Sequence, residues 1–369
     1  MFKKSTLASA VATAIGVSAV GIGSAQAHSL FFPYVALSDT VTTMISVVNA
    51  SNENYTPNGS PDGSNLHYRI YYKTAADNSL SCPEFDEFLP TSQYDVQSID
   101  LSGHFATETA GVLFNDPSIN NNWEASNKSY ALGEGILPLR GYLYIDNNDT
   151  TEGVETLTGE AINFDFGSGA SWGYQAYSSQ GTQFTYANYE WAASRSPSNV
   201  TMMPFAEVMT TFLVTPVSYD QAPDVNNNYA ARIEFITGLT TRGDVYDRDE
   251  NLISGTVPQD VVCVGRVDAT SLLTAGALNR VADGGWGQLY SYRTLAGAPA
   301  SFKAETDPTF VPGTAELTSA GVTKLNATDG AVIIKLEYNL GGTINGGAIQ
   351  GTFNNAITLM PEGPASLAQ

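Results

Sequence analysis

Residues 31–48 read FFPYVALSDTVTTMISVV, and residues 202–217 read MMPFAEVMTTFLVTPV. Both run through two apolar residues, a proline, an aromatic, a Thr-Thr pair and a β-branched segment. Val, Ile, Thr and aromatic residues at this density favour strands. A motif that returns after 171 residues (Pro33 to Pro204) points to a repeat. Further echoes keep the same order. IDLSGHFATETAGVL (99–113) matches VDATSLLTAGAL (267–278), GYLY (141–144) matches GQLY (287–290), and QGTQFTYAN (180–188) matches QGTFNNA (350–356). The shorter offset at GYLY places an insertion in the first copy, within the Asn-rich tract near 115–135. The expected organisation is a tandem duplication with copies over 28–196 and 197–369, divided at the Ser/Pro stretch SRSPSN.

Each copy reads as β. In LHYRIYYK (66–73) the residues Leu66, Tyr68, Ile70 and Tyr72 alternate with His67, Arg69, Tyr71 and Lys73. In VIIKLEYNL (332–340) Ile334, Leu336, Tyr338 and Leu340 alternate with Lys335, Glu337 and Asn339. A period of two predicts strands with one buried face. YDRDENLIS (246–254) predicts a hairpin, and SLLTAGALNRVA (271–282) a short helix capped by Ser271. The predicted fold class is all-β: two tandem immunoglobulin-like or jelly-roll-like β-sandwich domains with few short helices. The opening LFFPYV…TTMISVVN…HYRIYYK resembles uncharacterised secreted bacterial β-sandwich surface proteins. That resemblance covers about the first 50 residues after position 27 and implies fold and compartment. It carries no catalytic motif and so implies no site residue.

Residues 1–27 have the form of a secretory signal peptide: Lys3 and Lys4, a weakly apolar run, then Ala25-Gln26-Ala27. Cleavage there removes two lysines and no acid, taking the formal charge from −21 to −23. So acidic a chain repels nucleic acid and anionic lipid. No later segment is apolar over the 18 residues that a membrane-spanning helix needs. The expected location is exported, either periplasmic or at the cell surface, with self-association, other surface proteins or glycans as partners. The two cysteines, Cys82 and Cys263, fall one in each copy, and an oxidising compartment predicts that they pair.

Cleavage after Ala27 would leave His28 at the N-terminus. An amine and a ring nitrogen from His28, with His67 or His104 as second imidazole, would suit Cu(II). The pattern is similar to the histidine brace of lytic polysaccharide monooxygenases. In the hairpin, Asp247, Asp249 and Asn251 have the D-x-D-x-N spacing of a calcium loop, without the Gly and Glu that an EF-hand requires. IDNNDTTEG (145–153) is a second oxygen-rich turn. Asp and Asn populate such turns for backbone reasons alone. Clustered acids (Glu84, Asp86, Glu87, and Glu190) are the only trace of a glycosidase-like pair. H-E-x-x-H and P-loop motifs are absent from the sequence. Trp123, Trp172, Trp191 and Trp286 could stack on sugars or fill a core. The sequence therefore points to a non-catalytic exported structural or interaction protein: a surface-layer, filament, matrix or adhesin subunit. A copper protein built on His28 and a carbohydrate-binding module are the alternatives.

Overall fold

The computed structural model describes residues 29–50, 66–74, 82–89, 94–101, 112–114, 138–146, 157–166, 170–179, 198–217, 229–236, 243–295, 331–339, 343–344, 347–348 and 354–359. In the first half the strands are β1 (Ser29–Leu37), β2 (Val41–Asn49), β3 (Leu66–Thr74), β4 (Glu84–Leu89), β5 (Val96–Asp100), β6 (Val112–Phe114), β7 (Leu139–Asp146), β8 (Leu157–Asp165), β9 (Ala170–Gln175) and β10 (Tyr177–Ser179). They form two antiparallel sheets, in the orders β6-β5-β2-β8-β9 (layer 1) and β10-β1-β7-β3-β4 (layer 2).

The second half supplies β11 (Ser198–Met202), β12 (Val208–Pro216), β13 (Tyr229–Ile236), β14 (Asp244–Asp247), β15 (Leu252–Ser254), β16 (Gln259–Val261), β17 (Gly265–Asp268), β18 (Gly285–Leu295), β19 (Ala331–Asn339), β20 (Thr343–Ile344), β21 (Gly347–Ala348) and β22 (Asn354–Thr358). Layer 3 has the order β17-β12-β19-β22. Layer 4 has the order β15-β14-β18-β13-β16, with β11 on the other side of β18. The strands β20 and β21 make a small pair of their own.

The four layers stack in the order 1-2-3-4, as the side chains show. In β1, Leu30 and Phe32 enter a core shared with Ile45, Val47, Ile99 and Leu157, between layers 1 and 2. The alternate residues Phe31 and Tyr34 enter a different core, with Tyr71, Tyr142 and Tyr144 of layer 2 and Leu213, Val332 and Ile334 of layer 3. Phe212, Val214 and Ile333, whose neighbours face that joint, point the other way into the core between layers 3 and 4. A strand buried on both faces reads as a near-continuous apolar run, as LFFPYV does. Phe31 and Phe32 are both fully buried, each stabilising by about 1.5–3 kcal/mol. The period-two expectation for residues 66–73 and 332–340 is thus half right. The alternation is real, but both faces are covered: Tyr71 is in the joint, His67 is buried, and Lys335 is buried in an ion pair with Glu337 at 2.6 Å.

The same course of eight strands is laid down twice. Layer 2 runs β1-β7-β3-β4 and layer 4 runs β11-β18-β13-β16; layer 1 runs β5-β2-β8-β9 and layer 3 runs β17-β12-β19-β22. Gly141 of GYLY lies opposite Val35, and Gly287 of GQLY lies opposite Val200. The Thr42 hydroxyl donates to Asp100 at 2.5 Å, and that of Thr211 to Asp268 at 2.7 Å. The two prolines do not correspond, because Pro33 lies inside β1 whereas Pro204 lies beyond β11, where its carbonyl accepts from Glu207 and Val208. Gln180, Gln350 and the 115–135 tract lie outside the described residues. The short helix α1 is Ala275–Arg280, capped by Thr274 and not Ser271. The Thr274 hydroxyl accepts the Ala277 N–H at 3.3 Å, as an N-cap must. Among the described residues no helix is long and apolar enough to cross a membrane.

Candidate functional site

Pro33 has no N–H to give to a ladder, and proline inside a sheet belongs at a bulge. The register of β1 against β7 shifts between Phe32 and Val35. The groups released by the bulge are taken up by hydroxyls from other layers. Thr215 of layer 3 donates to the Pro33 carbonyl. The Tyr174 hydroxyl of layer 1 accepts the Tyr34 N–H at 3.2 Å and donates to the Tyr34 carbonyl. The bulge aims the Tyr34 side chain at the joint between the halves.

There it borders a cavity of ≈ 220 Å³, also lined by Asn163, Asp165, Trp172, Arg266 and Tyr338. The Tyr34 and Trp172 rings lie 6.0 Å apart, tilted by 35°. Burial raises the pKa of the Tyr34 hydroxyl, so it stays protonated. The Arg266 guanidinium sits 5.4 Å from the Tyr338 ring centroid and donates to Asp268 at 3.3 Å. Asn163 is 3% exposed, and its Oδ1 accepts from the Thr43 hydroxyl at 2.7 Å. Among the described residues its Nδ2 has no hydrogen-bond partner.

Of the predicted copper ligands, His28 and His104 lie outside the described residues. His67 does not have the accessibility expected from the polar side of its strand: layer 3 covers that side, and it is 7% exposed. Arg69 donates to its Nδ1 from Nε at 3.0 Å and reaches Asp146 at 3.3 Å. A cation on that nitrogen opposes a second cation there. The sheet does bring the N-terminal strand close, since Ser29 and His67 flank Asp146 of β7 from either side.

In the predicted calcium loop, Asp247 Oδ1 accepts the backbone N–H groups of Asp249 at 3.0 Å and Asn251 at 2.9 Å. Both Asp247 oxygens also take the Asn251 carboxamide. The backbone and side-chain hydrogen bonds from Asn251 hold its pKa below the usual value. This carboxylate closes its own hairpin turn between β14 and β15, the turn chemistry that Asp supplies without any ion. Among the described residues, no group of three His, Cys, Asp or Glu side chains is placed to hold a metal. Apart from Asp146, the 145–153 turn lies outside them.

Cys82 and Cys263 form a disulfide, with Cα atoms 5.4 Å apart. It joins the segment before β4 to the turn between β16 and β17, and so ties one half to the other. Glu84 accepts the Tyr71 hydroxyl at 2.8 Å; the side chains of Asp86, Glu87 and Glu190 lie outside the described residues. Trp286 stacks on Tyr246 at 4.7 Å on the outer side of layer 4, and Trp123 and Trp191 lie outside the description. The cavity was not foreseen. Its only trace in the sequence is a proline within a strand, because its wall comes from segments over 100 residues apart. Neither a family model nor a curated protein matches this sequence.

Proposed function

We propose that the protein is an exported, non-catalytic structural or interaction subunit whose two sandwiches arose by tandem duplication. The observation that carries the reading is how the halves join. The layer 2 face, built on β1, β7 and β3, packs on the layer 3 face built on β12 and β19, the counterparts of β2 and β8. Unlike faces meet, so the internal joint is head-to-tail; head-to-tail contacts between copies generate rings or filaments. The two end layers also carry apolar groups on their outer sides. Phe164 stacks on Phe166, which is 62% exposed. At the other end Trp286 and Leu252 flank Tyr246, at 37% and 45% exposure. The disulfide and the form of residues 1–27 support export.

Sedimentation velocity on the chain secreted from its source, between micromolar and near-millimolar concentration, tests this reading. Growing species that shrink again with Phe166→Glu or Trp286→Glu are expected. A strictly monomeric wild type together with stoichiometric, redox-active copper would replace it with the copper reading.

A further inference from the structure

We propose that the cavity between the two sandwiches binds a single neutral sugar ring. This goes beyond the assembly reading and depends on neither self-association nor export.

The first ground is Asn163. The Thr43 hydroxyl that meets its carboxamide also bonds both the N–H and the carbonyl of Ala36, at 2.9 and 3.1 Å. Thr43 thus occupies one end of the amide, and the other end has no partner among the described residues although Asn163 is 3% exposed. Turning the amide by half a turn changes which atom is left over, not that one is. Buried polar atoms are nearly always paired, and this one lines the cavity.

The chemistry of the wall then selects the ligand. Tyr34, Trp172 and Tyr338 offer ring surface for the C–H side of a flat ligand. Asn163 brings an open amide end, and Asp165 beside it a carboxylate, groups that suit hydroxyls, which donate and accept at once; the Asn339 amide in the same wall already donates to the Glu207 carbonyl at 3.0 Å. Asp165 and the net charge of −21 disfavour an anion. Arg266 in the same wall disfavours a cation. At ≈ 220 Å³ the space is below the about 300–1,000 Å³ of sites for drug-sized ligands, which leaves room for one ring. The wall draws on β1, β8 and β9 from one half and β17 and β19 from the other, so the site exists only when the halves are docked.

Saturation-transfer NMR on the full secreted chain, with the methyl pyranosides of glucose, galactose, mannose and N-acetylglucosamine at millimolar concentration, tests the proposal. At least one should bind. Asn163→Ala and Trp172→Ala should each weaken that sugar tenfold or more. Ala170→Leu, which fills the cavity without removing a ring, should abolish binding and leave the melting temperature unchanged or higher. Trp286→Ala should change nothing. Should Trp172→Ala fail to fold, Asn163→Ala and Ala170→Leu still decide. The proposal is overturned if no pyranoside binds, or if binding survives Ala170→Leu or Asn163→Ala. Loss of binding with Trp286→Ala alone would also overturn it, moving the sugar to the outer side of layer 4. So would a uronic acid or an amino sugar outcompeting every neutral pyranoside.

Discussion

β1 and β11 hold the same place in their sheets, each beside the strand that carries the GYLY or GQLY echo, yet they meet different surroundings. β1 is pressed between two cores, and residues 29–35 are all buried. In β11, Val200 and Met202 are buried while Asn199 and Thr201 are exposed. Layer 4 is an end of the stack and layer 2 is not. One strand topology thus carries an unbroken apolar run in one place and an alternating pattern in the other, because the number of covered faces differs. The joint is unlike on its two sides as well: layer 2 contributes rings, with Phe31 stacked on Tyr144 at 4.6 Å and Tyr71 on Tyr142 at 5.1 Å, whereas the layer 3 residues buried against them, Leu213, Val332 and Ile334, are aliphatic.

The sharpest way to break this comparison is to put a charge on the face that only β1 buries. Phe31→Asp should abolish folding of the chain, because an unpaired carboxylate in a dry core costs more than a domain can spare. Asn199→Asp on the exposed face of β11 should stay within about 0.5 kcal/mol. Denaturant melts of the two variants decide, and equal sensitivity would mean that β1 and β11 are covered alike. Removing the tie comes next. The double change Cys82→Ser with Cys263→Ser should lower stability by about 2–5 kcal/mol. A transition that splits in two would show the sandwiches melting separately; one that stays single would show that the aromatic joint couples them unaided.

The paired threonines sharpen the likeness. Thr42→Val and Thr211→Val each remove a hydroxyl bonded to a carboxylate, at Asp100 and Asp268. Each should cost about 1.5–3 kcal/mol, in the range for bonds to charged groups. Urea midpoints should show the two costs agreeing within about 0.5 kcal/mol, although Asp100 faces Met44 across its ladder whereas Asp268 faces Thr211 directly; a clear inequality would show that this register difference separates the halves. The smallest effect belongs to the β14–β15 turn, which has no counterpart strand pair among the described residues of the first half. The folded pKa of Asp247 is lowered by its hydrogen bonds from Asn251. Its contribution is therefore complete above the unfolded carboxylate range and is lost as pH falls through the folded value. Amide exchange at Asp249 and Asn251 should quicken on acidification below about pH 4, and Asp247→Asn should remove that dependence. Exchange that is flat across acid pH in the wild type would show that the carboxylate does not hold the turn.

The sequence alone determined the β class, because alternation and β-branched composition are local properties of the chain. It also gave the order of the echoes, of which GYLY with GQLY and the Asp100–Asp268 match fall at corresponding positions. Where an expectation turned on which surface covers a face, the sequence ran out. It put His67 and Lys335 on the open face of a half-buried strand, and neither place depends on neighbours in the chain. The face carrying His67 is closed by a layer that begins more than 100 residues later, and Lys335 is buried beside Thr201 at 3.1 Å. Pro33 is the clearest division between the two sources. Its ring announces a bulge locally, but what the bulge serves is set by Tyr174 and Thr215, which lie 140 and 182 residues from the groups they satisfy. Pattern in a chain reports which residues avoid water; only the packing of distant segments decides what they meet instead.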